Sequence, residues 1–228
     1  MGEPTLEAVL FDMDGTIIDS EPYWIEAERE LVEEFGGTWT EEQGYALVGS
    51  GLWNTADLLQ SAGVQLDADT IVQRLSDQVL EGIKRSVPWR PGVRELISDI
   101  SSARIPCALV TMSLRSNAEA VAAAVASEIG RDVFHVIVSA NDVEHPKPNP
   151  EAYLKAAGLL SVPIRHTLAI EDSGYGAASA FSAGSVTIGV PLHVDIPRHT
   201  VDVLWNSLAG RTLADLHEVF RTHRQVEQ

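Results

Sequence analysis

Residues 8–16 read Ala8-Val9-Leu10-Phe11-Asp12-Met13-Asp14-Gly15-Thr16, and this stretch decides the fold. Ala8 to Phe11 form a short apolar run, the length and composition of a buried strand. Asp12 ends it. A carboxylate at the carboxyl end of a buried strand stands where open α/β sheets place their chemistry. Asp12 is thereby a candidate nucleophile or metal ligand. Asp14 lies on the following turn, where Gly15 can supply a positive φ and let the second carboxyl swing back toward the first.

The pattern outward from this strand has two parts. Ser20 or Asp19 can cap a helix that begins at Pro22 and ends near Gly36-Gly37. Residues 41–47, 52–62 and 68–86 then show apolar residues at helical spacing, as in Ile71, Leu75, Val79 and Ile83. No convincing strand interrupts them before Pro88 and Pro91-Gly92. From residue 91 helix and strand alternate. Strands are expected at 105–110, 133–138, 167–170, 186–190 and 203–204, with helices between them and a final helix over 212–224. Such alternation means a parallel sheet with helices on both faces. The expected fold is therefore α/β: a Rossmann-like core, residues 1–16 and 91–228, with a helical cap over 17–90 inserted after the first strand.

The core strands end in reactive groups. Thr111 follows Ile105–Val110, and its hydroxyl and the next backbone N–H groups can donate to a phosphate oxygen. Ser113 and Arg115 stand on the same loop, within potential reach of a substrate. Lys147 lies in Glu144-His145-Pro146-Lys147-Pro148-Asn149-Pro150, where flanking prolines stiffen the loop and hold its ammonium. Glu171-Asp172-Ser173-Gly174 follows the strand at 167–170. Two adjacent carboxylates repel each other unless they share a cation, and their hard oxygens suit Mg²⁺. Asp172 or Ser173 can also cap the next helix.

Taken in order, Asp-Met-Asp-Gly-Thr, Val-Thr-Met-Ser, Lys-Pro-Asn-Pro and Glu-Asp-Ser-Gly resemble the four motifs of the haloacid-dehalogenase-like phosphohydrolases, in their β-phosphoglucomutase-like branch. That branch includes sugar-phosphate phosphatases and the mutase itself, and the resemblance covers nearly the whole chain. It implies that Asp12 attacks phosphorus and becomes an aspartyl-phosphate, while Asp14 protonates the leaving alcohol and later takes a proton from water. It implies Mg²⁺ on Asp12, Asp172 and the backbone carbonyl of Asp14, with Glu171 at or near the metal. Thr111, the Met112 amide and Lys147 would hold the phosphoryl oxygens. An acidic residue at Asp14 favours phosphoryl transfer over carbon–halogen cleavage.

The mutase pattern is incomplete. Its cap-loop Arg falls at about Leu52, counting from Gly49, and its His falls on Trp24. Trp24 and Trp53 instead offer an aromatic cap surface to a sugar or polyol. The expected activity is a Mg²⁺-dependent phosphatase acting on a small phosphorylated metabolite; the alternatives are a phosphosugar mutase or a non-catalytic binding protein of the same fold.

Composition agrees with this reading. The chain has 228 residues, 16 basic against 33 acidic, for a net charge of −17. That charge argues against nucleic acid or an anionic membrane as partner. It also means that a phosphate ester needs positive charge placed locally. The lone Cys107 lies in an apolar run and cannot form an internal disulfide, which fits a reducing compartment. No segment has the pattern of a secretory leader or a membrane span. A cytoplasmic protein, monomeric by default, is expected. A Gly-x-Gly-x-x-Gly after the first strand and a P-loop are both absent from the sequence.

Overall fold

The computed structural model describes residues 5–224; the outermost parts of the expected core, 1–4 and 225–228, lie outside the described residues. Six parallel strands form one sheet in the order β3-β2-β1-β4-β5-β6. They are β1 (Ala8–Phe11), β2 (Cys107–Val110), β3 (Phe134–Val138), β4 (Thr167–Glu171), β5 (Val186–Gly189) and β6 (Val203–Leu204). β1, β2, β4 and β5 are buried along their whole length. Helices therefore cover both faces, which explains why these strands read as continuous apolar runs. β2 begins at Cys107 rather than at Ile105. Pro106 has no N–H to give a ladder, although its carbonyl accepts from Val9 at 3.0 Å.

β1 lies between β2 and β4. The chain first builds outward to β3 and then returns to the other side of β1. The carboxyl ends of β1, β2 and β4 therefore meet where strand order reverses, the place at which open α/β sheets bind ligands.

Four helices follow β1: α1 (Glu21–Glu34), α2 (Glu41–Tyr45), α3 (Leu52–Ser61) and α4 (Ala68–Arg85). α2 is shorter than the expected 41–47. Its N-terminus is closed by a capping box between Thr40 and Gln43. The chain leaves for these helices and returns from them along adjacent paths. Ile18 bridges to Trp89, Asp19 N–H donates to Pro88 O at 2.8 Å, and Arg90 N–H donates to Ile17 O at 3.0 Å. The helical insert also leans on the core, where Asn117 Nδ2 donates to Ser76 O at 3.1 Å.

After the insert come α5 (Val93–Ser102), α6 (Arg115–Ile129), α7 (Glu151–Leu159), α8 (Gly174–Ala183) and α9 (Leu213–Arg224). One apolar cluster runs from Leu6 and Val9 in the core through Leu31, Leu75 and Val79 in the insert to Leu216 and Phe220 at the far end. Cys107 is buried, and burial pushes its thiol up to about 12, so it is inert. Among the described residues, no helix is long and apolar enough to cross a membrane.

Gly92 opens α5 with φ +83°, and a Cβ there would stand 2.2 Å from the backbone oxygen of Leu208. Backbone cannot yield as a side-chain tip can. Gly92→Ala is expected to cost about 3 kcal/mol, lowering Tm by roughly 6–12 °C in a chain of this size, as read by thermal denaturation.

Candidate active site

Each strand-end group enters the site from its own loop. Asp12 directly follows β1 and is held in line with β4 by its N–H, which donates to Ile170 O at 3.0 Å. Lys147, on the loop between β3 and α7, is buried. Its Nζ lies 2.7 Å from Asp12 Oδ1, 2.7 Å from Glu171 Oε1 and 2.9 Å from Val110 O. The ammonium thus joins the ends of β1, β2 and β4. Glu171 Oε1 also accepts from the hydroxyl of the buried Tyr153 on α7.

Asp14 is held by three hydroxyls. Ser20 Oγ donates to one carboxyl oxygen at 2.5 Å; Thr111 Oγ1 and Ser113 Oγ donate to the other at 3.1 and 2.7 Å. Two expectations change here. Ser20 occupies the N-cap of α1 but makes no side-chain cap bond, because its hydroxyl is turned to Asp14. Thr111 and Ser113 direct their hydroxyls to Asp14 as well, and Thr111 Oγ1 accepts from the Ser113 N–H at 3.0 Å. Ser173 behaves as expected and caps α8 through Gly176 N–H at 3.1 Å.

Gly15 takes φ +77°, as the turn requires. Its missing side chain matters more: a Cβ there would stand 2.0 Å from Asp172 Oδ2. That oxygen is buried and has no hydrogen-bond partner among the described residues. Carboxylate oxygens of Asp12, Glu171 and Asp172 lie within 4.8 Å of one another. An all-oxygen, anionic set with an unpartnered buried acceptor fits a hard divalent cation such as Mg²⁺.

The electrostatics state the same need. Burial, then the Glu171 charge, raise Asp12 to about 7 against the pull of Lys147. Burial, then Asp12 and Glu171, raise Asp172 well above the usual carboxylate range. Burial acts to lower Lys147, but Asp12 and Glu171 outweigh it and hold the ammonium above its ordinary range.

A cavity enclosing about 710 Å³, part of it open to solvent, lies over these groups. Asp12, Asp14, Thr111, Met112, Ser113, Lys147 and Asp172 line its floor; Trp24, Gly49 and Leu52 line it from the insert. Two expected residues stand elsewhere. Arg115 turns to Asp142 at 2.5 Å and to Ile137 O at 3.1 Å. Trp53 is 42% exposed and donates to Asp69 Oδ1 at 2.7 Å. A tryptophan at helical spacing gives no sign of which face it takes. Sequence reasoning missed Glu21 and Glu28, buried on the cavity wall, and Tyr153. It also missed Arg90, buried and donating to Val190 O at 3.2 Å. A clue to the two glutamates was available: they share the helical face of Trp24.

A six-stranded parallel sheet with a helical insert after β1, and an Asp-x-Asp turn, a Lys and an acidic pair at adjoining strand ends, define the class. Residues 9–190 match the model of the haloacid dehalogenase-like hydrolases, and the chain belongs to that family. Among its relatives is the phosphorylated carbohydrates phosphatase of Thermotoga maritima, 31% identical over 183 residues, covering 78% of this chain and 82% of that protein. Another is the fructose-1-phosphate phosphatase YqaB of Escherichia coli, 31% identical over 188 residues, covering 81% and 96%. In structure, the chain resembles CbbY of Rhodobacter sphaeroides in complex with phosphate, with TM-score 0.82 and 27% identity over 93% of this chain and 99% of that one.

Lys147→Met keeps most of the volume and removes the shared charge. Leaving Asp12 and Glu171 buried without a cation is expected to cost about 3–5 kcal/mol at pH 8. Asp12, whose folded pKa is raised, binds its proton more tightly folded than unfolded, so this loss shrinks as pH falls toward 5. Thermal denaturation of variant and wild type at both pH values checks it; an equal Tm gap at pH 5 and pH 8 would contradict the assignment.

Proposed function

We propose that the protein is a Mg²⁺-dependent phosphatase that hydrolyses a small phosphorylated sugar or polyol through an aspartyl-phosphate on Asp12. The observation that carries this reading is the convergence of Asp12, Lys147 and Asp172, with Asp14 beside them, on one cavity at the switch point of the sheet. Its phosphatase relatives support the same activity.

In this reading an Asp12 carboxylate oxygen attacks phosphorus in line and the bond from phosphorus to the ester oxygen breaks. Asp14, fixed by Ser20, Thr111 and Ser113, gives its proton to the departing alcohol. Water then attacks the phosphorus, gives its proton to Asp14, and the bond from phosphorus to Asp12 breaks. Lys147 orients Asp12 and offsets the repulsion between a carboxylate and a phosphate dianion. Asp12, Asp172 and the Asp14 backbone carbonyl would hold Mg²⁺, with Glu171 alongside. Bound there, the ion supplies charge neutralisation for the phosphoryl group and its two oxygen partners. We assign residues 17–90 the role of a cap that closes the cavity from above.

Phosphatase is favoured over mutase by the cavity wall. Leu52 and Trp24 line it at the positions expected for a second-phosphate Arg and a His. A non-catalytic role is disfavoured because every reactive group of the motif set is in place: Lys147 bonds Asp12 and Glu171, Thr111 and Ser113 bond Asp14, and Asp172 has a carboxylate oxygen within 4.8 Å of those of Asp12 and Glu171.

Phosphate release from a panel of sugar and polyol monophosphates is expected with Mg²⁺ and not with EDTA. Asp12→Asn is expected to lower it at least about a thousandfold; release that survives Asp12→Asn would sink the nucleophile assignment. Metal binding has its own readout. Asp12 rises from 3.8 to about 7 on folding, so the metal-free protein should lose stability as pH climbs from about 4 to 7. A cation competes with protons for the same carboxyls, so added Mg²⁺ should raise Tm more at pH 8 than at pH 6. Asp172→Asn should abolish that rise.

A further inference from the structure

We propose that the inner face of α1, Glu21, Trp24 and Glu28, selects the substrate: it reads the hydroxyls of a neutral polyol or sugar monophosphate and turns away esters with a second anionic group. The inference rests on the phosphatase reading above and adds which esters the site accepts.

The three residues are spaced i, i+3, i+7 and so share one helical face. All three line the cavity, and all are at least nine-tenths buried, with exposures of 8%, 8% and 4%. Glu28 is fixed from behind: Trp39 Nε1 donates to its Oε2 at 3.1 Å. α2 packs directly against this corner, since a Cβ on Gly44 would come within 3.2 Å of the same oxygen and 2.8 Å of Ile25 Cγ1. The carboxyl is therefore placed, not trailing in solvent.

Charge decides what such a wall accepts. Lys147 is the only cation among the described residues that line the cavity, and Asp12 and Glu171 already engage it. Beyond the floor, the side-chain polar groups are the two glutamates, the indole N–H of Trp24 and the hydroxyls of Ser50, Thr55 and Ser173; Ser50 and Thr55 pair at 3.3 Å, and Ser173 caps α8. Burial, with neighbouring carboxylates, raises Glu21 to about 8; burial raises Glu28 to about 7 against the Trp39 bond. Both shifts are led by burial, so the glutamates are largely protonated near neutral pH and take their full negative charge only as pH rises past about 8. A carboxyl has two oxygens to accept from neighbouring hydroxyls, and the indole offers an apolar surface to the C–H face of a polyol. A second phosphate or a carboxylate would lose its water against a wall with no counter-cation, and once the glutamates are ionised it would meet like charge as well.

The test is kcat/KM at pH 9, where both glutamates carry their charge, with Mg²⁺, for a hexitol 6-phosphate, the six-carbon aldonic acid 6-phosphate, a hexose 1,6-bisphosphate and p-nitrophenyl phosphate. The hexitol ester should exceed both doubly anionic esters by about a hundredfold, the scale of like charges a few ångströms apart at intermediate dielectric. Glu28→Gln and Glu21→Gln, both isosteric, should each narrow that ratio by about tenfold while slowing the hexitol ester. Equal kcat/KM for neutral and anionic esters in the wild type overturns the inference and leaves the phosphatase reading standing. A ratio unchanged in both variants overturns the assignment to α1. No release from any ester, p-nitrophenyl phosphate included, overturns the phosphatase reading and this inference with it.

Discussion

The buried ammonium of Lys147 is the constraint around which the site is built. It sits 2.7 Å from carboxylates on two different strand ends and 2.9 Å from the carbonyl that closes a third. A buried ion cluster of this kind is weak evidence of stability, because desolvation consumes most of the attraction. Its worth is positional. With the ammonium in place, β1, β2 and β4 cannot slide against each other without breaking a charged contact. Asp12 is thus presented to the cavity at one height and in one orientation. Tyr153 and Gly176 complete the arrangement from behind. The first donates to Glu171, and the second lacks the Cβ that would stand 2.0 Å from Glu171 Oε2.

One ammonium does not balance the carboxyls gathered there. Burial and Glu171 raise Asp12, burial, Asp12 and Glu171 raise Asp172, and Asp172 Oδ2 has no donor among the described residues. The protein holds a net charge of −17 and concentrates several of those carboxyls under one cavity. Such a surface repels phosphate esters until positive charge is added at the centre. The cation proposed for the centre would supply that charge, and the carboxyls on the upper wall underlie the proposed choice among esters.

Much of this was legible in the chain because strand ends leave a strong local mark. An apolar run followed at once by Asp, Thr or Glu-Asp is visible without knowing the strand order, and β1, β4 and β5 fell where the runs lie. Side-chain choices that depend on distant partners were not legible. Ser20 has the identity and position of a helix cap, yet Asp14 draws its hydroxyl away. Arg115 is an arginine on the right loop, but Asp142 on a neighbouring turn captures it. Arg90 meets Val190 across 100 residues of sequence, a contact that no local pattern encodes. Trp24 and Trp53 look alike as helical aromatics; only the packing of α1 against the core and α3 against α4 sends one inward and leaves the other half-exposed.

The Ser20 hydroxyl has a consequence for how the insert and the chemistry are tied. Ser20 is the last residue before α1, and α1 carries the cavity-lining Glu21, Trp24 and Glu28. Its bond to Asp14 at 2.5 Å is one of three that hold that carboxyl among the described residues. The other two come from the β2 loop, which belongs to the core. Asp14 therefore spans the seam: two of its tethers move with the sheet and one with the first helix of the insert. The adjacent crossings at Ile18–Trp89 and Asp19–Pro88 tie the chain entering that helix to the chain returning from the insert. The acid–base candidate and the helix that walls the cavity above it are in this way joined by one hydrogen bond.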